Sequence, residues 1–391
     1  MVVGRWQKWS RDFRALGQTL VGRAPNPLLR SGNVGQAAKA TVRTVRAQVV
    51  ARTVETADAV GVELRSLDGA LPSARPGQFV TVEMEIEGVV VKRAYSIVAQ
   101  PSPDRFCIAV KKIATGVVSP RMHALAIGDI LSIRGPLGLF VVDPDLTRAT
   151  EYLAIAGGSG ITPIVAIIEA VLLYEPQSRI ALIYGNRSVA ATMFRARLRE
   201  AAARSSGRLR VQFVDEQWLP DSNETSCAGQ LDELVLQREI NRMAVTTSAV
   251  ALLCGPTVVM QNARNVLRAR GFVDSNVREE RFGSPHASDR SGAALQAHVA
   301  SVIVGVQRYQ FTVAPTQTLL EGAQAANVPM PSSCTMGGCG ACAVMVEQGE
   351  LVHDEPNCLT AAERTSGKGL ACVARLATDC IVRVANVGGA Q

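Results

Sequence analysis

The chain has 391 residues, 47% of them hydrophobic, which is enough for two to three domains with buried cores. Nine cysteines are too few for a disulfide scaffold, no apolar run reaches membrane-span length, and the N-terminus has no signal-peptide core, so a cytoplasmic chain is expected. Of the net charge of +7, residues 1–46 hold nine bases against one acid, Asp12, so the near-neutral remainder gives no reason to expect nucleic acid as a partner.

Residues 1–46 read as a basic amphipathic arm. Trp6, Trp9, Phe13, Leu16 and Leu20 recur at steps of three or four, with Arg5, Lys8, Arg11 and Arg14 flanking the stripe. Such a helix can lie on an anionic membrane surface, which would place the protein peripherally at the inner face of the membrane. It can equally pack on its own body.

Residues 47–148 read as an antiparallel β-barrel. Short alternating strands are expected over 49–54, 60–64, 79–86, 89–97, 106–113 and 130–134, separated by Gly, Pro and Asp turns. Two stretches carry chemistry. In Arg93-Ala94-Tyr95-Ser96, an arginine beside an aromatic and a hydroxyl can hold a phosphate and line a planar ring. In Gly116-Val117-Val118-Ser119, a glycine opening a helix would offer free N–H groups to a phosphate.

Residues 149–283 switch to strand–helix alternation, hence a parallel α/β sheet. A strand at 152–156 runs into Gly157-Gly158-Ser159-Gly160-Ile161-Thr162-Pro163 and an apolar helix, the arrangement of a dinucleotide-phosphate loop. Further strands are expected at 180–184, 209–214 and 249–253, the last ending in Cys254-Gly255-Pro256. Ligands of open α/β sheets bind beyond the carboxyl ends of the strands, so Gly157, Gly185 and Cys254 should face one crevice.

Residues 284–298 read as a linker, and 299–391 as a small α+β domain. Its cysteines Cys334, Cys339 and Cys342 fall at C-x4-C-x2-C, and Cys372 follows. This is the plant-type spacing for a [2Fe–2S] cluster, whose irons need four soft thiolates. A zinc knot would show paired C-x2-C ends, and here the three loop cysteines give one such pair, Cys339 and Cys342. Gly337, Gly338 and Gly340 let the loop wrap close, with N–H groups toward sulfur.

Taken together, these motifs make the chain resemble the ferredoxin–NADP reductase superfamily. The closer likeness is to oxygenase and desaturase reductases with a plant-type ferredoxin domain at the C-terminus. The resemblance covers about residues 47–391 and implies a multidomain fold: an antiparallel β-barrel for the flavin, an α/β parallel-sheet nucleotide domain and an α+β, β-grasp-like ferredoxin domain. It implies that Arg93 pairs with the flavin pyrophosphate, that Tyr95 lies against the ring and that Ser96 sits near the reacting edge. Gly116, Val117, Val118 and Ser119 would cradle the flavin phosphates. Gly157, Gly158, Ser159, Gly160 and Thr162 would take the nicotinamide nucleotide, with Cys254, Gly255 and Pro256 opposite. Ser96, Cys254 and Glu280 would be the catalytic group, and the segment Glu280 to Phe282, expected as the domain's last strand, would lie close to the flavin.

The implied cofactors are FAD, rather than FMN, and the [2Fe–2S] cluster. NADPH is the expected donor because Arg187, with Arg195 as a second contact, ends a strand where the ribose 2′-phosphate would lie. Asp215 and Glu216 keep NADH open. Electrons would run from NADPH through flavin and cluster to a terminal oxygenase or desaturase on another chain. The first expectation, set by the arm, is a membrane-associated fatty-acid desaturase or hydroxylase. The second is a soluble ring-hydroxylating or diiron oxygenase, and the third is a redox sensor or carrier with no dehydrogenase activity. Cys254 is read as a packing and orienting residue rather than a nucleophile, and His353 of Glu350-Leu351-Val352-His353 as a surface residue.

Overall fold

The computed structural model describes residues 44–86, 88–114, 116–217, 226–282, 296–332, 334–335, 337, 340–354, 357, 359 and 361–385. The reading of the arm falls almost entirely on residues outside these. Among the described residues, no helix is long and apolar enough to cross a membrane.

Six strands close into an antiparallel barrel in the order β1-β2-β5-β4-β3-β6. They are β1 (Thr44–Thr56), β2 (Ala59–Ser66), β3 (Phe79–Ile86), β4 (Val89–Ser102), β5 (Arg105–Lys111) and β6 (Ile130–Leu137). Strand β1 starts at Thr44, ahead of the expected 49, because Thr44 to Gln48 alternate in burial and pair in register with Arg134 to Ile130. Arg46, assigned to the arm, therefore lies in the barrel and grips Asp68, with NH2–Oδ1 at 2.7 Å. Leu64, Val80, Val82, Phe106, Ile108 and Ile133 fill the barrel interior.

The second sheet has the order β10-β9-β8-β7-β11-β12. Its strands, all parallel, are β7 (Glu151–Gly157), β8 (Arg179–Asn186), β9 (Leu209–Asp215), β10 (Ser226–Ala228), β11 (Val250–Cys254) and β12 (Val277–Glu280). Strand β12 ends at Glu280, so Arg281 and Phe282 lie beyond the strand expected to hold them. Helices α2 (Ile161–Tyr174), α3 (Arg195–Arg204), α4 (Glu233–Arg242) and α5 (Thr257–Ala269) cover it; α1 (Ser119–Ala124) belongs to the barrel. Helix α2 is apolar all round because it is covered on two sides. Its Ile161, Ile164, Ile167 and Ile168 belong to one core with Tyr152, Leu182 and Tyr184 of the sheet and Val98, Cys107 and Ala109 of the barrel.

The C-terminal part has a five-stranded sheet in the order β14-β13-β19-β15-β17 and a two-stranded sheet, β16-β18. The elements are β13 (His298–Val304), β14 (Gln307–Val313), α6 (Leu319–Ala325), β15 (Ala343–Gln348), β16 (Leu351–His353), α7 (Ala361–Thr365), β17 (Lys368–Leu370), β18 (Ala374–Leu376) and β19 (Cys380–Val384). A capping box starts α6: Thr318 Oγ1 accepts from Glu321 N at 3.2 Å, and Glu321 Oε2 accepts from Thr318 N at 2.8 Å. His353 is not a surface residue. It is half-buried, and its Nε2 accepts the Leu370 N–H at 3.1 Å, so burial holds it neutral.

The shared core predicts that barrel and nucleotide sheet unfold as one unit. Ile164→Ala, at a fully buried α2 position, should cost about 2–5 kcal/mol and leave barrel and sheet unfolding in a single urea transition. Separate transitions, followed by tyrosine fluorescence and flavin release, would contradict the shared core.

Candidate functional site

Two loops meet where the strand order reverses, between β7 and β11. Gly157 closes β7, residues 158–160 form a single 3-10 turn, and Thr162 stands in the first turn of α2. Opposite, Cys254 ends β11, and Gly255 and Pro256 lead into α5. A methyl group on Gly160 would lie 2.1 Å from the Cys254 carbonyl oxygen; one on Gly157 would lie 2.7 Å from Pro256 Cδ, and one on Gly255 2.9 Å from Gly157 N. Backbone thus touches backbone across the crevice, which no other residue type permits. Gly158 differs: its φ is +53°, and the place of its missing Cβ is open, leaving room for a phosphate to approach the backbone. The Tyr184 hydroxyl donates to Gly158 O at 2.9 Å, which fixes the turn.

Thr162 Oγ1 lies 3.0 Å from Ser159 O and 3.2 Å from Ser96 Oγ. That second contact joins the nucleotide loop to the barrel. Ser96 is buried on β4, paired with Phe79 of β3, while Tyr95 and Arg93 pair with Val80 and Val82. Tyr95 and Arg93 share a strand face. Burial pushes the Tyr95 phenol up to about 12, with Arg93 opposing, so it stays protonated. The Arg93 guanidinium is exposed and donates to Lys92 O at 2.8 Å.

Gly116 does not open a helix. Pro120 sets the start of α1, which begins at Ser119, and Gly116 N–H donates to Ile113 O at 2.9 Å. Ser119 Oγ turns back to accept Ile113 N–H at 3.0 Å. The segment is a tight turn, with Val118 buried and Val117 exposed. An exposed guanidinium, a planar phenol on the same strand face and this turn fit a flavin dinucleotide.

Arg187, just past β8, is 69% exposed and lies 3.4 Å from Asp58 of the barrel. Asp215 is fully buried, 3.4 Å from Arg195, whose guanidinium stacks 4.2 Å over Phe213. Asp215 therefore presents no carboxylate to a ribose, and Arg195 is engaged by Asp215 and Phe213 of β9. Phe282 is 37% exposed beyond β12.

Three of the four predicted ligands fall on described residues; Cys339 lies outside them. Cys334, Cys342 and Cys372 are buried, and the sulfurs of Cys342 and Cys372 lie 3.2 Å apart. Gly337 N–H donates to Cys372 Sγ at 3.2 Å. Thr335, Gly337 and Gly340 have φ of +57°, +73° and +69°, the left-handed turns that wrap the loop around a centre. Buried thiols with a backbone N–H on sulfur fit an all-thiolate [2Fe–2S] cluster.

Between crevice and cysteine loop stands Glu280. It pairs with Cys254 across β11 and β12, and it feels the charge of Cys334. It is 8% exposed, and its Oε2 has no hydrogen-bond partner among the described residues. Burial, then Cys334, raises its pKa well above the carboxylate range. Burial, with Glu280 beside it, likewise raises the Cys254 thiol, so Cys254 is no nucleophile.

One group escaped the sequence reading: Arg197 on α3, with Glu169 of α2 and Glu55 of β1. The available signal was Glu169, a carboxylate inside an otherwise apolar helix, which demands a buried cation.

Comparison with known proteins agrees with this layout. Family profiles match a FAD-binding oxidoreductase domain at residues 53–142, an NAD-binding oxidoreductase domain at 154–265 and a 2Fe-2S iron-sulfur cluster binding domain at 302–377. A component of the Escherichia coli 1,2-phenylacetyl-CoA epoxidase is 32% identical over 314 residues, covering 79% of this chain and 87% of the relative. The ferredoxin reductase component of Mycobacterium tuberculosis 3-ketosteroid-9-alpha-monooxygenase is 31% identical over 350 residues, covering 86% and 93%. A solved phthalate dioxygenase reductase shares the fold, with a TM-score of 0.55 and 21% identity over 87% of this chain and 97% of its own. The chain belongs to the ferredoxin–NADP reductase superfamily, as an NAD(P)H oxidoreductase with FAD-binding, NAD-binding and C-terminal [2Fe–2S] ferredoxin domains.

Proposed function

We propose that this reductase takes hydride from NADPH at the crevice between residues 157–163 and Cys254-Gly255-Pro256, and delivers single electrons through its cluster to a terminal oxygenase on another chain. The observation that carries the reading is the 3.2 Å contact of Thr162 with Ser96, which sets the nucleotide loop directly against the flavin strand. Bound flavin supplies the conversion from a two-electron donor to a one-electron cluster.

The chain's own residues position and insulate. Gly158 and the start of α2 would receive the nucleotide phosphates, and Arg93 and Tyr95 would hold the flavin. The turn from Gly116 through Val117 and Val118 to Ser119 supports the flavin phosphates. Ser96, Cys254 and Glu280 border the reacting edge, where burial disfavours charge on the Glu280 carboxyl. Phe282 closes the same edge from beyond β12. Cys334, Cys339, Cys342 and Cys372 hold the irons.

Support for an oxygenase acceptor comes from the relatives, whose names are those of monooxygenase and epoxidase components. The desaturase expectation rested on the arm, which lies outside the described residues, and no relative named here supports a membrane partner. An NADPH preference is supported by the exposed Arg187 and the buried Asp215.

Three measurements follow. In Ser96→Ala, anaerobic flavin reduction by NADPH should slow about 10- to 100-fold with the NADP+ dissociation constant unchanged; a wild-type rate would remove Ser96 from the reacting edge. In Arg187→Ala, KM for NADPH should rise about tenfold and KM for NADH should hold; equal changes would show that Arg187 does not read the 2′-phosphate. In Cys339→Ser, cytochrome c reduction should be lost and ferricyanide reduction kept. Retention of both would mean that electrons leave from the flavin.

A further inference from the structure

Arg197 stands in the first turn of α3, far from the crevice in sequence, with its side chain 13% exposed. Its Nε and one terminal nitrogen grip both carboxylate oxygens of Glu169, the latter at 2.6 Å. The same terminal nitrogen lies 3.4 Å from the Val98 carbonyl oxygen of β4. Glu55 of β1 adds a second, half-buried carboxylate. It attracts Arg197 and accepts the backbone N–H of Phe194, a residue held at φ +57° at the start of α3. The Phe194 ring lies 5.4 Å from the guanidinium.

The spacing gives this knot its meaning. Val98 is two residues past Ser96 on β4, and Glu169 is seven residues past Thr162 on α2. Seven residues are about two helical turns, so Thr162 and Glu169 share a face of α2. Strand and helix are therefore tied twice along one line, by Ser96 with Thr162 and by Val98 with Glu169 through Arg197.

Apolar packing already joins barrel and sheet in one core. A buried ion pair adds little stability over apolar residues of equal volume, but it specifies one relative placement. A shape-matched apolar contact would let α2 slide along β4, whereas a bidentate arginine fork would not.

We infer that Arg197 is a positioning residue for hydride transfer: through Glu169 and the Val98 carbonyl it fixes α2 on β4, and so fixes Thr162 against Ser96. The inference rests on reading that contact as the meeting point of nicotinamide and flavin. The hydride leaves NADPH as a proton with two electrons, giving NADP+, and is taken up at the flavin bound on β4. Misplacement by an ångström costs on the order of 10²-fold in rate, while binding of either partner alone is untouched.

The test uses holoenzyme variants Arg197→Gln, Arg197→Lys and Glu169→Gln, with Arg208→Gln as control. Arg208 bonds the Leu172 and Glu175 carbonyls at the far end of α2, at 2.7 and 3.1 Å. Anaerobic stopped-flow should show flavin reduction at least roughly tenfold slower in R197Q and E169Q, intermediate in R197K and within twofold of wild type in R208Q. Flavin content and NADP+ affinity should stay within twofold in all four. Amide hydrogen exchange over residues 94–99 should rise in R197Q and not in R208Q.

If R197Q and E169Q reduce flavin within twofold of wild type, the inference is overturned. Should R197Q fail to retain flavin, E169Q and R197K decide by the same criterion. Ser96→Ala, run alongside, separates the two claims. A normal rate there removes the meeting-point reading, whereas a slow S96A with a normal R197Q removes the positioning role alone.

Discussion

Helix α2 must be covered on two sides, and the reaction centre depends on that demand. Its sequence is apolar nearly all round, with Glu169 its one charged residue: Ile161, Ile164, Val165, Ile167, Ile168 and Val171 point round the helix and are all buried. The parallel sheet can cover one flank only, so the barrel must cover the other. That requirement brings β4 against the helix and places Ser96 beside Thr162. At the same end of the helix, three glycines let the β7 and β11 loops touch through their backbones. A hydride donor and its acceptor have to meet within contact distance, and the packing of α2 on β4 sets Thr162 against Ser96.

The exit route is organised by desolvation. Glu280 Oε2 has no hydrogen-bond partner among the described residues, and burial raises the carboxyl pKa well above the usual carboxylate range. Cys254 is kept as a thiol by the same burial. Burial therefore disfavours negative charge at Glu280 and Cys254, between the crevice and the cysteines. Near the loop, Asp354 and Arg375 form a buried pair at 2.9 Å that joins the strand end after β16 to β18. Such a pair specifies placement more than it adds stability.

What could be read in the sequence tracks how local each signal is. The cysteine spacing, the glycine loop after β7 and the Arg93-Ala94-Tyr95-Ser96 segment are contiguous motifs. The structure sets Ser96 against Thr162 and pairs Cys254 with Glu280, and it buries Cys334, Cys342 and Cys372, with the last two sulfurs in contact. Strand alternation located all six barrel strands, though β1 begins earlier because pairing with β6 extends it. The expectation that Gly116 opens a helix failed because Pro120, four residues on, decides where the helix starts. His353 looked like a surface residue because its partner, the Leu370 N–H, is a backbone group that no side-chain pattern announces. Asp215 looked available to a ribose until Arg195, twenty residues earlier, was seen against it. Arg197 was invisible because its partners come from three separate elements.

The most direct test of the account is the order of reduction. Oxidised protein is mixed anaerobically with NADPH, flavin absorbance is followed, and samples are frozen at intervals for electron paramagnetic resonance of the cluster. The account predicts that flavin bleaches first and that the reduced-cluster signal follows. A cluster signal that rises without prior flavin bleaching, or that never appears, would contradict the path from crevice through barrel to cysteine loop.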